Sequence, residues 1–369
     1  MLREHGLIVE DQLFILIQAG SYLTALRGFG APEVRICYER VESLCYSLNR
    51  PLLVYSALMG QWLFSLVTGK LTATMQIANR VYSLAQEQND AALMVGAYRA
   101  LAGTLNFMGD FEAARKYARR GVQIWRSGGV PSLVEDVLSP AVACLFYEAL
   151  TDWHLGGITS SQAAMAEAIS VAKELNDTHA LAATLFWAVV LDHREGNPVK
   201  VARLASDLIE LSTRQGFAYW LAGAEVLRGW ARSASGSAAE GIALIEDGIA
   251  DWQATGSLLT LPYFLALKAE ALHLADRTSE ALGAIREAEA LVERSEERWW
   301  SAELHRLRGV FLAAIGADET QIEASFSAAI STAQEQKSVS LEKRAEATYA
   351  EYRRQKASAS GGRGFRLPL

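Results

Sequence analysis

GFAYWLAGAEVLRGWARSASGSAAEGIALIEDGIADW, from Gly216 to Trp252, is the stretch that decides the fold. Two runs of helix-forming residues flank a short turn centred on Gly236, and apolar residues recur in each run at helical spacing. A glycine between them suits the left-handed backbone that commonly ends a helix. The reading is a helix-turn-helix pair. Outward from Gly236, equivalent turn residues follow an apolar helix at Gly69, Gly109, Gly156, Gly196, Asp276 and Gly316. Taken in chain order with Gly236, they are spaced 40, 47, 40, 40, 40 and 40 residues apart. Unrelated loops would scatter by several residues, so the spacing identifies a repeat. Gly28, 41 residues before Gly69, marks a degenerate N-terminal unit.

Each turn leads into a second amphipathic stretch, among them FEAARKYARRGVQIW from Phe111, PVKVARLASDLIEL from Pro198 and SEALGAIREAEALVE from Ser279. Pro198 falls in a first helical turn, where the missing N–H is not needed. Two columns of small residues run through the alignment. Seven residues before the turn stand Trp62, Ala102, Ala149, Val189, Gly229, Ala269 and Gly309; twelve after it stand Val81, Gly121, Ala168, Leu208, Gly248, Ala288 and Ala328. A helical glycine costs roughly 1 kcal/mol against alanine, so its use at fixed phase implies close helix approach. The first and fourth units carry large residues in both columns, which predicts wider spacing there.

This phasing is similar to that of the tetratricopeptide repeat, whose usual period is about 34 residues. The expected fold is therefore all-α: a right-handed α-solenoid of tetratricopeptide-like helix pairs with a period of about 40 residues. Residues 1–50 are read as a degenerate N-terminal repeat or cap, and residues 51–356 as about seven units plus a C-terminal capping helix. Residues 357–369, ASASGGRGFRLPL, are read as a flexible tail. SGGVPSLVED, Ser127 to Asp136, is expected to be an exposed loop between the second and third units.

Composition agrees with one continuous architecture. The 51% hydrophobic and 21% charged residues are spread evenly, and only seven prolines interrupt a chain rich in helix formers. A formal charge of −7 offers no basic face for a phosphate backbone, so no nucleic-acid partner is expected. Cys37, Cys45 and Cys144 lack CxxC spacing and fit buried thiols in a reducing cytoplasm. The apolar core Leu13 to Ile17 is too short for a secretory segment, and no uncharged run approaches the ~18 residues of a membrane span.

The stretch ERWWSAELHRLRG, Glu297 to Gly309, carries a more specific signal. Together with GFAYWLAGAEVLRGWA (Gly216 to Ala231), EGIALIEDGIADWQATG (Glu240 to Gly256), PYFLALKAEAL (Pro262 to Leu272) and LVYSALMGQWLFSLVTG (Leu53 to Gly69), it resembles one region of large bacterial signalling proteins. That region is the tetratricopeptide-like C-terminal part of proteins that join a class III adenylyl cyclase domain or a DNA-binding domain to a predicted ATPase. The resemblance implies a signalling context and covers the repeat portion alone. No GxxxxGK[ST] phosphate loop and no cyclase domain with paired metal-binding aspartates accompany it, so neither catalytic activity carries over.

Candidate chemistry is sparse. The six histidines are scattered singly and no HExxH pattern occurs, so no metal or other cofactor is expected. In tetratricopeptide superhelices helix A lines the inner, concave wall, and positions thirteen, ten, six and three before each turn should look inward. That places Arg99, Asn106, Trp153, His193 and Trp230 on the wall, followed by Glu270, His273, Glu303 and Arg306. Aromatic and polar groups together suit capture of a protein or peptide segment, aromatics as anchors and charges setting register. Adjacent Trp299 and Trp300, read as helical, cannot share a face. The expected function is a non-catalytic protein-interaction scaffold; the alternative is a small-molecule-sensing solenoid acting on a cyclase, ATPase or transcriptional output domain. An all-helical enzyme would need paired carboxylates in loops, and none recurs there.

Overall fold

Left-handed backbone at a fixed phase cuts the chain into helices. The computed structural model describes residues 6–50, 53–128, 137–358, 365 and 367–369, and these form seventeen α-helices and no strand. An N-terminal pair, α1 (Gly6–Arg27) and α2 (Pro32–Ser47), precedes seven A/B pairs. The first four are α3 (Val54–Val67) with α4 (Leu71–Gln88), α5 (Ala91–Met108) with α6 (Phe111–Gly128), α7 (Pro140–His154) with α8 (Ile158–Glu174), and α9 (Thr178–Arg194) with α10 (Pro198–Gln215). The remaining three are α11 (Ala218–Ala234) with α12 (Ala238–Ala254), α13 (Leu261–Leu274) with α14 (Thr278–Ser295), and α15 (Ser301–Ala314) with α16 (Glu319–Glu335), after which α17 (Val339–Ser358) covers the end. The molecule is a tetratricopeptide-like α-solenoid.

Every A-to-B turn uses the residue read from the sequence. Gly28, Gly69, Gly109, Gly156, Gly196, Gly236, Asp276 and Gly316 all have φ between 60° and 97°. After each turn from Gly69 onward the next amide reaches back to a helix A carbonyl, as in Lys70 N to Ser65 O and Ser237 N to Arg232 O, which satisfies a carbonyl that the helix end would orphan. A second left-handed series closes the B helices at Asn49, Asn89, Asn176, Gly216, Gly256, Glu296 and Lys337. Asp90, Asp177, Asn197 and Asp318 then cap the following helices through their side chains.

The small-residue columns lie inside the A/B interfaces, at different levels of each pair. A Cβ on Gly229 would stand 2.7 Å from Gly241 O, and one on Gly248 would stand 3.0 Å from Ala222 O. The column glycines therefore meet other positions of the neighbouring helices, Gly309 the Phe326 ring and Gly121 Cys144 of α7, and do not meet each other. The α3/α4 and α9/α10 pairs have the sparsest close backbone approaches of the seven, as their large column residues predict.

The superhelix winds until its later loops dock on its earlier turns. Leu258 and Leu259 donate their amides to Val67 O at 2.8 and 2.9 Å, and Arg298 and Trp299 donate theirs to Phe107 O at 2.8 and 3.2 Å. One unit further, Ser338 Oγ bonds His154 Nδ1 at 2.9 Å, with Ser340 Oγ donating to Trp153 O beside it. Val67, Phe107 and His154 each stand two residues before their turn. The first two contacts span 191 residues, and the third spans 184, shorter by the seven residues that lengthen the second repeat. Gly30 packs directly on Gly256 at the N-terminal end of the same seam. This closure leaves 16027 Å² of accessible surface on a 40.2 kDa chain. A compact monomer of that mass exposes about 14,500 Å², so little of an open groove remains.

Two sequence expectations need amendment. Trp299 and Trp300 lie in the loop before α15 and not on a helix, so both turn inward, at 0% and 1% exposure. In the tail, Phe365 packs on Tyr352 with ring centroids 4.9 Å apart, Leu367 is buried, and Pro368 O accepts from Arg306 Nη1 at 3.0 Å. These apolar side chains gain more by covering the end of α17 than by remaining solvated. The expected loop at Ser127 to Asp136 falls, beyond the end of α6, outside the described residues.

Candidate functional site

Because A helices line the axis and the seam closes around it, the inner wall is a packed core of aromatic and charged side chains. Trp62 on α3 donates its indole N–H to Thr104 on α5 at 3.0 Å, and Arg99 stacks on the same indole at 5.4 Å. Along the axis the aromatic run continues through Phe107 and Trp187 to Trp299, with ring centroids 5.6 to 6.2 Å apart. Between Arg99, Trp62, Tyr147 and Trp220 there remains a void of only about 40 Å³.

Further along, charges converge. Glu303 accepts from Arg306 at 2.8 and 2.9 Å and from Arg344 on α17 at 3.1 Å. Burial alone would raise the Glu303 carboxyl, but the two guanidinium groups hold it at about 2. Trp230 Nε1 donates to Glu270 Oε2 at 2.7 Å. His193 Nδ1 lies 2.8 Å from the Tyr263 hydroxyl, and its Nε2 is 3.8 Å from Glu270. These are mutually satisfied pairs, with no group left poised to exchange a proton with a substrate.

Among the buried groups left without hydrogen-bond partners, two stand out. Asn106, at 1% exposure, has neither amide nitrogen nor amide oxygen hydrogen-bonded. Arg194, also 1% exposed, has no hydrogen bond to any guanidinium nitrogen. Its compensation is aromatic: Trp153 and Trp299 stand 4.9 Å from its Cζ, and Trp300 stands at 5.4 Å. Desolvation lowers its pKa to about 9, with Arg344 pushing in the same direction.

Of the residues read as concave wall, Arg99, Asn106, Trp153, His193, Trp230, Glu270, Glu303 and Arg306 are all at most 6% exposed. They face the axis but line no open groove, because the seam folds α13 to α17 over α3 to α9. His193, Trp230 and Glu270 form one cluster; Glu303 and Arg306 form another with Arg344. Arg99 sits apart among the early units. His273 joins neither: its Nδ1 bonds Thr278 at 2.9 Å at the α13/α14 turn, and its ring packs on Phe311. Sequence phasing missed Arg194, Tyr263, Trp300 and Arg344, which arrive from helix ends, a loop and the capping helix. The unusual density of aromatic and arginine residues in ERWWSAELHRLRG was the available signal.

Among the described residues no three His, Cys, Asp or Glu side chains gather as a metal ion would require. No described helix is long and apolar enough to cross a membrane.

Known proteins match parts of the sequence and most of the fold. Residues 140–195 match the family model of anaphase-promoting complex subunit 5. An uncharacterized protein of Rhizobium meliloti (strain 1021) is 24% identical over 197 residues, which cover 53% of this chain and 19% of that relative. The match thus spans about a fifth of the curated relative's length. NprR in complex with its cognate peptide NprX superposes with a TM-score of 0.61 at 11% identity, covering 96% of this chain and 95% of that one. A Rap protein complexed with Competence and Sporulation Factor gives 0.60 at 11% identity, covering 94% and 99%. At these identities the likeness is one of architecture, shared from end to end.

Proposed function

We propose that this chain is a non-catalytic regulatory scaffold that binds a protein or peptide segment on its inner wall. The observation that carries the reading is Asn106. A side-chain amide presents one acceptor and two donors, the complement of a backbone peptide group, and leaving both ends buried without a partner costs about 1–3 kcal/mol. A bound main chain would recover that cost. Arg194, with five unengaged N–H donors among three indoles, would likewise take a carboxylate of the same ligand. Since both groups are covered while the seam is shut, ligand entry accompanies a parting of the seam.

NprR was solved with its cognate peptide and the Rap protein with Competence and Sporulation Factor, which supports the class of ligand. The ERWWSAELHRLRG resemblance favours a bacterial signalling assembly with a cyclase, ATPase or DNA-binding output as its setting. The alternative, a metabolite sensor acting on such an output, would need the same parting of the seam, since the closed axial void of about 40 Å³ has room for little beyond water.

A displayed peptide library selected on the purified chain tests the proposal, with every enriched peptide re-measured on Asn106→Ala. Alanine removes an unsatisfied group, so stability should hold or rise while binding falls by roughly tenfold. Peptides that bind the variant as tightly as the parent would refute the inner-wall reading.

A further inference from the structure

A sizeable cavity among the described residues lies off the axis. A cleft of about 740 Å³ opens on the seam, where the α5/α6 turn meets α14, α15 and the end of α16. Its volume falls in the range of natural ligand sites. Met108, Val292 and Leu304 supply apolar lining, and most of the rest is charged or polar.

Some of that charge is already spent. Arg308 pairs with Glu289 at 2.8 Å, and Lys337 pairs with Glu112 across the seam. Three further lining carboxylates, Asp110, Glu293 and Glu335, have no cationic nitrogen within 4.0 Å among the described residues. Arg298 is the single lining cation in the same position. Asp110 is nonetheless engaged, accepting the Ala113 amide at 3.1 Å and acting on Lys337, so the unspent balance is two carboxylates, Glu293 and Glu335, against one guanidinium. A second, independent feature points inward: Ser301, only 8% exposed and lining the cleft, has a buried hydroxyl with no hydrogen-bond partner.

We infer that the seam cleft is a second binding site, for a short basic peptide segment. An arginine or lysine side chain would neutralise Glu293 and Glu335, an aliphatic neighbour would cover the half-buried Met108, and a ligand carbonyl or amide would engage Ser301 Oγ. An acidic segment would meet the excess carboxylates and be repelled. Because the cleft walls come from both sides of the seam, an occupant touches α5/α6 and α14 to α16 together and holds the seam shut. This site differs in place and charge from the inner wall, so it stands or falls separately.

Fluorescence anisotropy with a labelled hexapeptide, two arginines flanking a leucine, provides the test, with a glutamate-for-arginine version alongside. The arginine peptide should bind and weaken with added salt; the glutamate version should not bind. Glu293 and Glu335 are exposed, so the double variant Glu293→Gln/Glu335→Gln keeps its fold and should bind roughly tenfold more weakly, with a smaller loss for Ser301→Ala. Asn106→Ala should leave this binding intact. Equal binding of the two peptides, an unaffected double variant, or no binding of the arginine peptide at millimolar concentration would each overturn the assignment. Loss with Asn106→Ala alone would move the peptide to the inner wall and also overturn it.

Discussion

Glu297 is a buried acid held by donors and no cation. Its two oxygens accept the Thr260 amide at 2.9 and 3.0 Å, and Oε1 also accepts Trp299 Nε1 at 2.7 Å. These bonds fix the loop in which Thr260, a β-branched residue, adopts a left-handed φ of 74°. Burial nevertheless raises the carboxyl to about 7. The folded state thus binds more protons than the unfolded chain between the ordinary value of 4.5 and about 7. The contribution of this carboxyl to stability is greatest below that window, falls as pH rises through it, and is flat above it. The difference is of order 3 kcal/mol. Buried His154 and His179, whose pKa values burial lowers, push stability the other way over the same range. The Glu297 effect is therefore read as the parent-minus-Glu297→Gln difference in denaturant titrations from pH 4.5 to 8, which should fall as pH rises through the window. A difference that stays constant with pH would assign the pH dependence elsewhere.

Helix pairs are held at distances set by residues without side chains. Alanine at Gly229 would add a methyl 2.7 Å from Gly241 O and 3.0 Å from Ile245 N, both backbone atoms of α12, which cannot swing aside. Overpacking should cost about 1–3 kcal/mol despite alanine's better helix propensity. Gly283 in α14 has nothing within 4 Å of a built Cβ, and alanine there should add up to about 1 kcal/mol. Opposite shifts in thermal midpoint would verify the pair; a stabilised Gly229→Ala would show that α11 and α12 slide freely. The contrast also marks how far the sequence could be read. The A-to-B turns were legible because seven of eight are glycine, and the small columns because packing repeats with the unit. The second left-handed series was not, because Asn, Gly, Glu and Lys share the position and only backbone geometry unites them. The burial of eight of the nine residues read as wall was hidden: it depends on superhelical pitch, a sum of small rotations that no single unit encodes. The seam cleft was hidden for the same reason, since Asp110 and Glu335 lie 225 residues apart.

At the scale of the whole molecule the seam converts a one-dimensional stack into a closed body. In an ordinary solenoid each repeat contacts only its neighbours, and loop amides exchange with solvent. Here the loop amides of Leu258, Leu259, Arg298 and Trp299 are bonded to Val67 and Phe107 across the winding. Hydrogen exchange should find these four protected and released together in one opening event, including when inner-wall peptide binds. Rapid, independent exchange at the four positions would mean that the seam stands open in solution. Contacts spanning 191 residues also bear on how the chain acquires its structure. Neighbouring helices can assemble quickly because their contacts are local, whereas docking Leu258 on Val67 must await nearly five finished repeats and the loss of a long loop's freedom. The seam is accordingly the last part to form, and a nascent chain stalled before α13 would expose its indole-lined wall to chaperones or partners as an open scoop.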